Sequence, residues 1–166
     1  MPSRYVLKFR RRREGKTDYR KRLALVKSGK PILTVRRTNK RIIAHIRVFD
    51  PKGDITKVMI TSDKLKDYGW NGSFKNTPAA YLTGYLIGKL ALKQGISEAI
   101  LDIGLHSSTK GNRLYAVLKG AVDSGLNIPH SPKNIPSEER IRGEHISKDV
   151  PKMFEKVKEN IEKSVK

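Results

Sequence analysis

The sequence predicts an α/β protein: a mixed, mainly antiparallel sheet with one parallel crossover strand, helices packed against it, a basic N-terminal arm and a C-terminal amphipathic helix. Three observations lead there. Residues 31–61 hold three strand-like runs separated by turn signals. Residues 77–125 then read helix, strand, helix, which brings back at least one strand by a parallel crossover. Finally, Val150, Phe154, Val157, Ile161 and Val165 recur at helical spacing and make one apolar stripe.

The elements follow in order. Residues 1–16 contain four consecutive arginines, Arg10 to Arg13, and no apolar periodicity, so an extended or disordered basic arm is expected. From Thr17 a helix is predicted, with Tyr19, Leu23 and Val26 as its thin apolar stripe and Ser28-Gly29 as its stop. Pro31 opens a strand, ILTVRR. Thr38-Asn39-Lys40 makes a hairpin loop, and RIIAHIRVF returns with Ile42, Ala44, Ile46 and Val48 on one face and Ile43, His45, Arg47 and Phe49 on the other. Asp50-Pro51-Lys52-Gly53 places Pro and Gly where a type I turn wants them, and DITKVMIT is the third strand.

Residues 63–77 read as a short helix and a loop carrying Tyr68, Trp70 and Phe74. These rings pin the loop to the core or stack on bases, and the first use is the commoner. Thr77 and Pro78 form a cap and first-turn pair for a helix running to about Gln94. Gly84 and Gly88 lie one turn apart within it, where glycine is costly unless another backbone comes close. SEAILDIGL is nearly continuously apolar, as a central strand covered on both sides would be. The helix NRLYAVLKGAVD follows. Residues 127–145 are rich in proline and polar groups and read as irregular. No internal repeat is present. The reading divides the chain into an arm (1–16), an α/β core (17–130) and a C-terminal extension (131–166).

Charge gives the functional lead. The chain of 166 residues has a formal net charge of +20. Residues 1–50 carry 17 Lys/Arg against 3 Asp/Glu, and the remaining residues carry 19 against 13. Self-repulsion of this size destabilises a compact state. Its concentration in one third of the chain points to a polyanionic partner, nucleic acid above all. A heat-adapted or solubilising surface would mix the signs instead. Cysteine is absent, so neither a disulfide framework nor a thiolate metal site forms. The longest apolar-rich run, AAYLTGYLIGKLALK, is too short to span a membrane. A soluble, intracellular, cytoplasmic protein is expected, with no membrane association, metal, cofactor or homo-oligomer.

The candidate RNA-binding residues are contiguous. The arm supplies Arg4, Lys8, Arg10, Arg11, Arg12, Arg13 and Lys16. The helix and its exit supply Tyr19, Arg20, Lys21, Arg22, Lys27 and Lys30. The hairpin supplies Arg36, Arg37, Asn39, Lys40 and Arg41. Arginine grips a phosphate at two points through its planar fork. The loop HSSTKGN precedes a helix and adds Lys110 and Arg113, without fitting the nucleotide-binding P-loop pattern. No recognition helix, zinc ligand set or aromatic single-strand signature is evident, so backbone and shape reading of structured RNA fits best. Two rivals stand beside this reading. An RNA-processing enzyme would use Asp102 and His106, four residues apart. Otherwise Asp102 accepts backbone hydrogen bonds at a strand end. A DNA-compacting basic protein is the other rival. His45, His130 and His145 form no spacing pattern.

Three stretches, TDYRKRLALVKSGKPILTVRRTNKRIIAHI, AAYLTGYLIGKLALKQGISEAILDIGL and KGAVDSGLNIPHS, occur in this order over about residues 4–146. Together they resemble the large-subunit ribosomal protein family that binds 5S rRNA, number eighteen in the universal naming and number five in eukaryotes, in its archaeal form. The resemblance implies a non-enzymatic ribosomal protein with a small α/β domain. It implies a place in the central protuberance on 5S rRNA, with 23S rRNA, a second 5S-binding protein and other central-protuberance proteins as neighbours. The family's RNA-contacting segments match Arg4 to Arg22 and the hairpin around Arg36 to Arg41. The last helix matches the shared motifs least; its stripe docks either on the protein's own core or on a neighbour.

Overall fold

A computed structural model describes residues 6–165; Arg4 lies outside them. The predicted α/β architecture is observed. Strands β1 (Ile32–Arg37), β2 (Ile42–Val48), β3 (Ile55–Thr61) and β4 (Ile100–Asp102) form one sheet in the order β3-β2-β1-β4. The first three make the antiparallel meander, with Val35 opposite Ala44 and Ala44 opposite Ile60. The crossover strand β4 pairs in parallel with β1, Leu33 beside Leu101. The helices are α1 (Arg10–Arg13), α2 (Tyr19–Lys27), α3 (Thr77–Lys93), α4 (Arg113–Asp123), α5 (Glu138–Arg142) and α6 (Val150–Ser164).

Alternation along the strands sorts the side chains into two layers. Leu33, Val35, Ile42, Ala44, Ile46, Val58 and Ile60 enter the core shared with α3 and α4. Ile32, Thr34, Arg36, His45, Arg47 and Asp102 take the opposite face, where α2 lies. Helix α3 is buried almost all round, from Thr77 to Gly88. Its glycines explain how. A Cβ on Gly84 would strike the Val117 carbonyl, and one on Gly88 the Ser124 hydroxyl. A Cβ on Gly120 of α4 would strike the Tyr81 carbonyl in return. The two helices meet backbone to backbone.

Helix α6 docks on this same body. Its Val150, Phe154, Val157 and Ile161 are buried, Phe154 packs on Tyr81 with ring centroids 5.4 Å apart, and the Tyr85 hydroxyl donates to Glu162 at 2.6 Å. The aromatic loop is pinned inward as well, with Trp70 fully buried and its indole donating to the Ser73 carbonyl at 3.3 Å.

Five expectations need correction. Arg10–Arg13 form a helical turn rather than an extended arm, because arginine is a good helix former and Phe9 packs on Tyr19 with ring centroids 5.0 Å apart. Asn76, not Thr77, caps α3, accepting from the Ala79 amide at 2.9 Å. Strand β4 is three residues long and sits at the sheet edge. Its apolar run reflects shelter from the core on one face and from α2 on the other. Leu23, predicted to face inward on α2, is 55% exposed, while Arg22, Leu25 and Val26 turn toward the sheet. Part of the segment read as irregular, Glu138–Arg142, is helical and closes at Gly143 in the left-handed conformation.

Candidate nucleic-acid interface

Helix α2 starts where Asp18 accepts from the Arg20 and Lys21 amides at 3.0 and 3.3 Å. That cap fixes which side chains point outward. Lys8, Arg11, Arg12, Arg13, Arg20 and Lys27 are exposed and form no ion pair among the described residues; Arg11 donates to the Thr17 hydroxyl at 2.9 Å. Together they make a cationic ridge running from the arm along the outside of α2. Other predicted cations are partly neutralised. Arg10 and Lys16 share Glu14, each at 2.8 Å. Lys21 stands 3.9 Å from Asp18, Lys30 pairs with Glu98 at 2.6 Å and Arg41 with Asp63 at 2.8 Å. Tyr19 is occupied with Phe9.

Under the ridge lies a chain of alternating charges. Arg22 holds both oxygens of Asp54, at 2.9 and 2.7 Å. Arg47 donates to Asp54 at 2.6 Å and to Asp102 at 2.9 Å. Arg36 donates to the Asp102 carboxylate and to its carbonyl, each at 3.0 Å. The Arg36 guanidinium lies so close over Gly104 that a Cβ there would meet it at 2.7 Å. These three arginines and two aspartates form the floor of a cleft of about 680 Å³ between α2 and the sheet, whose wall also holds Arg11, Lys16, Lys21 and Asp18. The Arg22 hydrogen bonds, aided by Arg47, hold the Asp54 carboxyl below its ordinary range against the effect of burial. Burial would push Asp102 up, but Arg36, the Gly104 amide and Arg47 outweigh it and hold it down. His45, on the same face, is pushed down by burial and by Arg47 and Arg36.

Asp102 and His106 do not make a catalytic pair. Asp102 also accepts from the Gly104 amide at 2.7 Å and the Thr34 hydroxyl at 3.4 Å, and its charged partners are arginines. His106 lines a different depression, with Arg37, Thr38, Asn39, Lys75 and Arg113. Burial and the nearby Arg37 and Arg36 lower its pKa. Lys40 and Lys110 are exposed near the hairpin tip and in the loop before α4, and Arg113 donates to the Lys75 carbonyl at 2.6 Å. Among the described residues no three His, Cys, Asp or Glu gather as a metal site would need, and no helix is long and apolar enough to cross a membrane. The reading from sequence missed Arg47 and Lys75. Arg47 was detectable, because it shares a strand face with His45 on which α2 would have to sit.

The family profile described as ribosomal large subunit proteins 60S L5 and 50S L18 matches residues 3–97 and 91–131. The chain belongs to that family. It is 57% identical over 152 residues to the large ribosomal subunit protein uL18 of Korarchaeum cryptofilum, covering 92% of this chain and 78% of that one. It is 57% identical over 145 residues to the uL18 of Caldivirga maquilingensis, covering 87% of this chain and 70% of the other. Membership in the L5/L18 family makes the chain a structural, rRNA-associated component of the large ribosomal subunit rather than an enzyme. The ionic chain through Asp54 and Asp102 ties α2 to the sheet beneath the ridge.

Proposed function

We propose that this protein binds 5S rRNA and helps attach it to 23S rRNA in the central protuberance, beside a second 5S-binding protein. The observation that carries the proposal is the ridge of unneutralised cations from Lys8 to Lys27, held on a clamped helix. Each phosphate it meets releases condensed counterions, a gain independent of base sequence. Specificity comes from shape: a rigid α2 and a hairpin at fixed spacing fit one folded backbone and not another. The helical turn at Arg10–Arg13 extends the ridge toward the N-terminus. The body of the molecule, with α6 docked, keeps these segments in register.

Competition decides it. Purified protein is titrated onto 5S rRNA across a salt series, with tRNA and duplex DNA as competitors. Preference for 5S rRNA by orders of magnitude is expected, with log affinity falling by about 0.7–0.9 per phosphate contact for each decade of salt. Removing residues 1–16 should weaken binding and flatten that dependence. Equal competition by all three nucleic acids would overturn the proposal and favour a general polyanion binder.

A further inference from the structure

A second cationic site lies on the other side of the sheet. Neighbouring residues on β1 point to opposite faces, so Arg36 joins Asp102 in the cleft under α2, while Arg37 turns to the helical side. There Arg37 from the hairpin, Lys75 from the segment before α3 and Arg113 from the first turn of α4 converge on a depression of about 450 Å³. His106, Thr38 and Asn39 complete its wall, and no carboxylate lines it. The contrast with the cleft under α2 is the informative part. In that cleft, Arg22, Arg36 and Arg47 are each matched to Asp54 or Asp102, and of its arginines Arg11 at the rim is left without an ion pair among the described residues. In the depression, three like charges from three elements line one wall with no acid in it. Arg113 is steadied by the Lys75 carbonyl, at 2.6 Å, which takes one of its donors and satisfies no charge.

We infer that this depression binds a backbone phosphate of RNA, giving the protein a second RNA-contacting face separate from the arm and α2. Arg37 and Arg113 supply forked donors, Lys75 a point charge and Asn39 an uncharged donor to the same group, while the Thr38 hydroxyl donates to the Arg41 carbonyl and shapes the turn. His106 faces Arg37 and Arg36 from β1, Lys75 and Arg113, and no acid among the described residues of that wall. Burial, and then Arg37 and Arg36, lower its pKa while the depression is empty. An arriving phosphate opposes that field and favours the protonated ring, so binding at this site strengthens as pH falls. A protein with phosphate sites on both sides of its sheet can bridge two RNA segments.

The inference rests on the RNA-binding reading above, and its test separates the two. Full-length Lys75→Gln and Arg37→Gln are compared with wild type for binding to 5S rRNA and to 23S rRNA transcripts across salt. Both residues are exposed, so the variants should fold, and thermal unfolding verifies this. For at least one transcript, each variant should bind roughly three- to tenfold more weakly, with a salt slope smaller by about 0.7–0.9. Its loss should add to that of removing residues 1–16, since the two sites share no residue. The His106 titration midpoint, followed by NMR, should rise when RNA binds. Inorganic phosphate at matched concentration distinguishes a free-anion pocket: a rise with phosphate alone, beside unchanged RNA binding in both variants, overturns the inference. Wild type that binds neither RNA better than tRNA would instead sink the functional reading itself.

Discussion

Arg22 of α2 grips Asp54, the residue before β3, through two parallel hydrogen bonds of 2.9 and 2.7 Å. A basic residue in the middle of a basic helix thus points down and serves as an anchor. This matters because α2 has no fully buried side chain, and its partial apolar cover comes from Tyr19, Leu25 and Val26. Arg22→Gln should therefore loosen α2 without unfolding the body. A partly buried bidentate pair of this kind is worth about 1–2 kcal/mol, between exposed and fully buried pairs. Amide exchange in residues 19–27 should quicken roughly five- to thirtyfold by that figure. Unchanged exchange would mean that Tyr19, Leu25 and Val26 suffice to hold the helix.

Asp102 is the second link. It is the one carboxylate shared by Arg36 and Arg47, and Arg47 already has a buried Nε with no partner. Asp102→Asn strips the charge from beneath two guanidinium groups while keeping the shape. The expected cost is about 2–3 kcal/mol, measured as a lower urea midpoint with an unaltered slope. A loss below a few tenths of a kcal/mol would show that water or Asp54 takes over the role.

The same groups set the response to pH. Asp54 and Asp102 have folded pKa values below the ordinary 3.8, so their contribution is complete above that value and is lost as pH falls through the lower folded values. His45 acts earlier. Its folded pKa lies below the ordinary 6.5, so below that pH the unfolded chain takes the proton more readily and stability declines. Stability should thus begin to fall near pH 6.5 and fall again below about pH 4. His45→Gln should shrink the first decline and leave the second. A first decline of unchanged size in that variant would assign it to His106 alone.

Close helix packing gives a test free of charge. Gly84→Ala favours helix by about 1 kcal/mol in isolation. Here the new methyl meets the Val117 backbone, which cannot swing aside as a side chain would. Overpacking of this kind costs about 1–3 kcal/mol or more, so net destabilisation is expected. Gly120→Ala, which meets the Tyr81 carbonyl from the other helix, should behave alike. A stabilised Gly84→Ala would show that α3 and α4 separate at little cost.

What the sequence revealed tracks the range of the forces involved. The meander and α6 were legible because alternation and helical spacing are local patterns that one buried face enforces. The glycine approach of α3 to α4 was legible too, since glycine in a long helix has few other uses. The position of β4 was not, because an apolar run does not say whether shelter comes from neighbouring strands or from helices above and below. Nor was the facing of α2. Its apolar residues alone point to Leu23, and the winning contact, Arg22 with Asp54, is 32 residues distant in sequence. For the interface, composition located the cationic segments, but which cations are spent internally depends on pairings such as Lys30 with Glu98 that no local pattern encodes.

That division of labour is itself testable. Arg20 and Lys27 lie exposed on α2 and form no ion pair among the described residues, whereas Arg22, two positions from Arg20, is tied to Asp54. If the ridge is the RNA surface, Arg20→Gln and Lys27→Gln should each reduce the salt slope of 5S rRNA binding by about 0.7–0.9 and leave thermal stability unchanged. Arg22→Gln should show the reverse: a lower stability and a near-normal slope, with affinity reduced only as far as the loosened helix fails to present its neighbours. Asp54→Asn should resemble Arg22→Gln, although it places no new group on the surface. Were Arg22→Gln to change the slope as strongly as Arg20→Gln with no loss of stability, the clamp would have to open on the RNA, and Arg22 would belong to the interface after all.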